Sequence, residues 1–249
     1  MRDDLYQELY HVEDGHWWHQ HKRALVQQLV RKFTRKGRVL DVGAGTGKIL
    51  SELESQGWQV IGVDGEKQAQ IWSHKRGVKV KLVDLEKARL PFSGDTFDLV
   101  LALDVLEHLK NDKKLIKEAK RVLKPGGILV VTVPAYPKLF SYWDEMLGHQ
   151  RRYTVKTVKR VTISKGFSLC YLSYFSSLVL FPALVVRLIK QTLPIKEKPI
   201  SDFQTLPLQP IVEPFLRLYT FFERFLLRWM RLPFGLSIIA VVQKLRDED

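Results

Sequence analysis

Cysteine is almost missing from this chain: Cys170 stands alone among 249 residues, so no intrachain disulfide and no thiolate metal cluster can form. That scarcity fits a reducing compartment, the cytoplasm. The opening MRDDLYQELYHVEDG has no apolar run behind a basic start, so no secretory signal peptide is read there. Long hydrophobic runs are lacking too. The nearly apolar stretch from Tyr171 to Val186 is interrupted by Ser173, Ser176, Ser177 and Pro182, and falls short of the roughly twenty residues that span a bilayer. Acidic residues are in deficit: 27 Asp and Glu against 40 Lys and Arg leave a formal charge of +13. Such a balance favours a phosphate-bearing substrate, a nucleic acid or an anionic membrane, and solvated helix faces account for it equally well. No internal repeat is visible.

What is present is a globular composition, 45% hydrophobic and 11% aromatic, in a length that suits one α/β domain with an insertion. From Gly37 to Val133 short β-branched runs alternate with amphipathic stretches, the pattern of βαβ units. Strands are predicted at Arg38 to Val42, Gln59 to Val63, Val78 to Leu82, Phe97 to Ala102, Gly127 to Val133, Phe167 to Ser173 and Leu236 to Gln243. Helices are predicted at Lys48 to Gln56, Lys67 to His74, Asp112 to Val122 and, capped by Thr154, up to Ser164. Right-handed crossovers then leave a doubly wound sheet with its ligand at the carboxyl ends of the strands. Ahead of it, His16-Trp17-Trp18-His19 and a basic helix from about Lys22 to Phe33 read as a lid over residues 1–36. His16, His19 and His21 have no carboxylate or cysteine spacing that completes a metal site.

The first strand runs into Gly43-Ala44-Gly45-Thr46-Gly47 and straight on into a helix. Glycines there let the chain turn sharply and bring bare N–H groups against a ligand. A dinucleotide fold wants a small residue where this chain has Lys48, which argues against NAD. Asp64 ends the second strand, where a carboxylate can accept both ribose hydroxyls or simply cap the helix that follows.

Five segments in order, VLDVGAGTGK (39–48), VIGVD (60–64), VDLEKARLPFSGDTFDLV (83–100), DVLEHL (104–109) and RVLKPGG (121–127), resemble the motifs of class I S-adenosylmethionine-dependent methyltransferases, specifically the type 11, ubiquinone and menaquinone-type group. The likeness covers about 37–134. It implies a Rossmann-like doubly wound sheet of seven strands, the last antiparallel, with a helical insertion between the last two strands. It also implies S-adenosylmethionine as cofactor. In that resemblance Gly43, Ala44 and Gly45 line the methionine part, and Asp41 steers its amino group. Asp64 holds the ribose, Gly65 lets the backbone pass the sugar, Asp84 accepts from the adenine amine, Leu85 covers the ring, and the Leu103 carbonyl meets the methionine ammonium.

Methyl transfer from a sulfonium is an in-line displacement that needs alignment, water exclusion and, for some acceptors, a base. Asp104, Glu107 and His108 have a D-x-x-E-H spacing similar to a divalent-metal cluster of some ubiquinone-pathway O-methyltransferases; in most relatives such residues only pack, and no metal is assigned. After the fifth strand comes a run from Tyr136 to Thr154 containing Trp143, His149, Arg151, Arg152 and Tyr153. Imidazoles titrate near neutral pH, so His149 is a candidate base beside His108, while the arginines with Tyr153 and Trp143 are candidate acceptor contacts. Salt bridges fixing the loop are an equal alternative. The string GHQRRYT with the HWW segment resembles a bacterial subgroup of lipid-linked or cell-envelope glycan pathways.

Between the last two strands lie residues 175–233, flanked by the methyltransferase segments 37–174 and 234–249. After a proline-rich link (Pro194, Pro199, Pro207, Pro210), Ile211 to Arg231 reads as a helix with Arg217, Arg224, Arg228 and Arg231 on one side. Two placements are open. The helix lies in a membrane interface with its arginines at lipid phosphates, or it caps the acceptor site with them in water. The expectation is a cytoplasmic enzyme, with a peripheral membrane position as the second possibility, acting at oxygen on a lipid, polyprenyl-linked glycan or other amphipathic small molecule. A cofactor-binding membrane adaptor and an RNA methyltransferase are the rivals; without a recognisable RNA-binding module, nucleic acid is not favoured.

Overall fold

The computed structural model describes residues 3–87, 89–163, 166–192 and 209–246. Helices α1 (Asp3–Val12) and α2 (Trp17–Phe33) precede strand β1 (Arg38–Val42). There follow α3 (Lys48–Ser55), β2 (Gln59–Asp64), α4 (Lys67–Lys75), β3 (Val80–Leu82), β4 (Phe97–Leu103), α5 (Asp112–Val122) and β5 (Leu123–Pro134). The chain continues through α6 (Tyr142–Met146), α7 (Val155–Thr162), β6 (Phe167–Phe175), α8 (Ser177–Thr192), α9 (Gln209–Trp229) and β7 (Ser237–Lys244). The seven strands form one sheet in the order β3-β2-β1-β4-β5-β7-β6. The first five are parallel, and β7 runs antiparallel to both β5 and β6. This is the Rossmann-like sheet that the strand pattern predicts.

Alternation along the strands sorts the core onto two faces. Leu40, Val42, Val100, Ala102, Leu129 and Val131 meet α5 and α7 through Leu115, Ile116, Val158 and Val161. On the other face Val39, Leu99, Leu101, Ile128 and Val130 meet Leu25, Val26, Leu29 and Val30 of α2, together with Leu50 and Leu53 of α3. The segment 1–36, expected as a lid, therefore divides: α2 is a layer of the core, and only α1 lies over the cofactor turn.

Several boundaries shift for physical reasons. β5 begins at Leu123 because Leu123 pairs with Phe97 before the register slips; Gly126, at φ 80°, takes up the slip. The apolar run Tyr171 to Val186 is not continuous structure: Ser176, at φ 59°, separates the end of β6 from α8. Of the proline-rich link, Pro194, Pro199 and Pro207 lie outside the described residues, and Pro210 falls inside α9. Among the described residues, no helix is long and apolar enough to cross a membrane.

Candidate active site

Parallel β1, β2 and β4 end together, Val42 standing level with Val63 and Ala102, so their loops open onto one edge of the sheet. The turn after β1 is tied to β2, since Gly43 and Ala44 donate to the Val63 carbonyl at 2.8 and 3.1 Å. Gly43 takes φ 74°, and a Cβ there would strike Val105 at 2.4 Å. Gly45, at φ 54°, meets the opposite situation: a Cβ there would touch nothing within 4 Å, so bare backbone faces open space.

Two acids flank this backbone. Asp64 is buried, accepting from the Gly45 N–H at 2.9 Å and the Glu66 N–H at 2.9 Å. It thus braces the turns after β1 and β2, while the cap position of α4 falls to Glu66. Asp41 is buried on β1 with its Oδ1 lacking any hydrogen-bond partner. Burial, with the neighbouring Asp64 charge, pushes its carboxyl up to about 8. Leu103 follows Ala102 at the end of β4. Asp84 is more exposed and caps its own turn, accepting from Glu86 and Lys87 N–H groups at 3.0 and 3.3 Å, while Leu85 packs on the core. Gly65 is exposed beside Asp64.

Sequence reasoning missed the roof of this edge. Tyr6 of α1 is buried, and its hydroxyl is hydrogen-bonded to Asp64. Glu13 accepts from the Thr46 hydroxyl and pairs with Arg76 at 2.9 Å, and Arg76 also lies over the Tyr10 ring. Nothing local in DLYQELYHVED announces these contacts, because their partners lie tens of residues away.

The second cluster stands at the end of β4. Asp104, at φ 54°, does not join a metal set with Glu107 and His108; it is committed to Lys22 Nζ at 2.6 Å and to the Thr132 hydroxyl at 2.8 Å. His149 takes its place instead: Glu107, His108 and His149 offer ligand atoms all within 4.8 Å of one another. Glu107 is fully buried with both carboxylate oxygens unpartnered, and burial, reinforced by Asp104, raises its carboxyl well above the ordinary range. His108 packs edge-on against His149 with ring centroids 4.7 Å apart, and burial with that neighbour brings it down to about 4.

The loop 136–154 supplies the rest. His149 Nδ1 lies 3.0 Å from Asp144 Oδ1. Against the cost of burial, the His149 hydrogen bond and the Arg152 guanidinium hold Asp144 down to about 2. Asp144 is therefore the acceptor and His149 Nδ1 the donor in this bond, which leaves Nε2 outside it. Arg152 is occupied by Asp144 at 2.7 Å and the Ala135 carbonyl at 3.2 Å. Arg151 reaches the Lys110 carbonyl at 3.1 Å and keeps an exposed face. The buried Tyr153 donates to the Leu106 carbonyl or Asp112, which ties the loop to α5. Trp143 is half-buried beside the Tyr142 ring.

Residues 40–131 match the methyltransferase domain family. A protein of Methanocaldococcus jannaschii is 39% identical over 106 residues, 43% of this chain and 49% of that one. The demethylmenaquinone methyltransferase of Tropheryma whipplei is 33% identical over 131 residues, 52% of each chain. The chain spans about half the length of these curated relatives. A crystal structure of an S-adenosylmethionine-dependent methyltransferase from Archaeoglobus fulgidus shares the fold: TM-score 0.56 and 19% identity over 89% of this chain and 94% of that one. Most of β1, all of β2 and β4 and the bare turn lie within the segment that matches the methyltransferase domain family. The relatives matched include quinone methyltransferases.

Proposed function

We propose that the protein transfers the methyl group of S-adenosylmethionine to an oxygen of an amphipathic, lipid-linked small molecule. The observation that carries this is Asp41: a buried carboxylate with an unpartnered oxygen, beside backbone that faces open space, suits a ligand bearing an ammonium group. Gly43, Ala44 and Gly45 line the methionine moiety, and the Leu103 carbonyl joins Asp41 in holding its ammonium. Asp64 takes the ribose, Gly65 lets it approach, Asp84 accepts from the adenine amine and Leu85 covers the ring. Transfer itself requires the sulfonium and the acceptor in line, with water excluded.

The choice of oxygen rests on the Asp144–His149 pair, since a hydroxyl must lose its proton as it takes the methyl group. His149 accepts that proton at Nε2, Asp144 stabilises the resulting cation, and neutral His108 packs against the ring. Arg151 binds an anionic group of the acceptor while Trp143, with the stacked Tyr136 and Tyr174 rings 5.4 Å apart, receives its apolar part. Arg152 and Tyr153 hold this loop in place. The relative named for demethylmenaquinone supports a small-molecule acceptor over RNA. The test is calorimetric titration with S-adenosylmethionine and its demethylated product, then labelled-methyl transfer to lipid extracts. Absence of heat from both ligands on folded protein, or full activity in Asp64→Ala, refutes the reading.

A second reading rests on the orphaned oxygens of Glu107: with His108 and His149 they make a ligand set for a divalent cation, which would polarise the acceptor oxygen. Loss of turnover on chelation, restored by one divalent ion and abolished in Glu107→Gln, selects it over the base.

A further inference from the structure

Helix α9 sits on the protein inside out. The side against α2 and α8 is largely polar: Thr220 and Glu223 are buried there with Leu227. The arginines expected to meet lipid phosphates are turned toward α2, with Arg217 reaching Gln20, Arg224 reaching His21 at 3.3 Å and Arg228 reaching Gln28 at 3.3 Å. The opposite side carries Phe215, Leu218, Phe222, Phe225, Leu226 and Trp229 into solvent, Phe215 71% and Trp229 80% exposed. Scattered exposed apolar residues are ordinary; a whole helix side of them marks a binding surface.

The charge on and beside that side names the occupant. Of the two acids of α9, Glu213 is paired with Arg217 and Glu223 is buried on His21. With Arg217 spent on Glu213, Arg228 edges the apolar side, and Arg231 follows just past the helix, 3.7 Å above the Tyr171 ring. An apolar strip edged by cations, without a free carboxylate, suits an anionic bilayer surface. The helix would lie in its plane with the aromatic side chains at the acyl boundary.

We propose that α9 docks this protein onto anionic lipid membranes through the Phe215–Trp229 side. The full-length protein should float with vesicles of phosphatidylcholine mixed with phosphatidylglycerol, and about tenfold less with phosphatidylcholine alone. The triple variant Phe215→Gln, Phe222→Gln, Trp229→Gln should lose flotation by at least about tenfold while its unfolding midpoint stays unchanged. Arg228→Gln, at a side chain whose one hydrogen bond among the described residues is to Gln28, serves if the triple variant does not fold. It should weaken binding to the anionic vesicles about fivefold and leave binding to phosphatidylcholine unaltered. Native protein that does not float, or variants that float as well as native protein, overturn the proposal. Self-association in sedimentation, removed by the triple variant and without flotation, assigns the surface to a second copy of the chain and overturns it as well.

Discussion

Glu107 and Glu223 are equally buried and oppositely treated. Glu223 accepts from His21 at 2.7 Å, the Ser176 N–H at 2.8 Å, and the Ser177 N–H and hydroxyl at 2.7 Å each, with the Tyr219 hydroxyl besides. Against the cost of burial, these bonds, His21 foremost, hold its carboxyl down to about 2. It also sits at the N-terminus of α8, where backbone N–H groups favour an anion. Glu107 has no such partners, and its carboxyl is driven up by burial instead. A buried acid with every oxygen satisfied holds elements together. One left unsatisfied near the carboxyl end of a strand is the better candidate for a ligand contact.

The largest effect that separates the two is on stability. Glu223→Ala should cost about 3–5 kcal/mol in urea unfolding, since it strands His21 and two N–H groups, whereas Glu107→Gln should change stability by less than about 1 kcal/mol. Equal losses would end the contrast. Its pH form follows from the sign of the shift. Folded Glu223 titrates below its ordinary 4.5, so its stabilisation is complete above that value and is lost as pH falls toward about 2. In Glu223→Gln the unfolding free energy should lose that part of its acid slope.

Next comes turnover. His149→Ala should lower kcat about a hundredfold or more with cofactor affinity unchanged, and Asp144→Asn less, because the ring remains but its orientation is loosened. A smaller effect concerns Asp41, the other unsatisfied acid. Raised to about 8 when no ligand is bound, it should give up a proton to solvent when an ammonium arrives. Calorimetry at pH 7 in buffers of different ionisation enthalpy should show release of up to about one proton per cofactor, and Asp41→Asn should abolish the release and weaken binding about tenfold. The smallest is Tyr6→Phe: freeing Asp64 from the tyrosine hydroxyl should change the cofactor Kd by no more than about threefold, as one neutral hydrogen bond is exchanged.

What the sequence disclosed followed locality. Short β-branched apolar runs and the glycine turn made β1, β2 and β4 legible nearly to the residue, since strand, turn and acid are consecutive. The fate of Asp104 was not legible: D-x-x-E-H spacing places it with Glu107 and His108, but Lys22, eighty residues upstream, claims it, and His149 arrives from a different loop. The arginine side of α9 was legible as a side, and the structure sets it along the edge nearest α2, with Arg217 and Arg228 still exposed. Periodicity gives the angle between two faces of a helix; which of them turns inward depends on the polar partners of α2, Gln20, His21 and Gln28.

The bond between His21 and Glu223 joins positions 202 residues apart. A ribosome making this chain releases α2 well before the helix that buries His21 has been made. Contacts of such long range form late and slowly. The seat of α2 against α9 is therefore secured only once Glu223 has been made, and a nascent chain truncated before Glu223 should leave α2 open to protease.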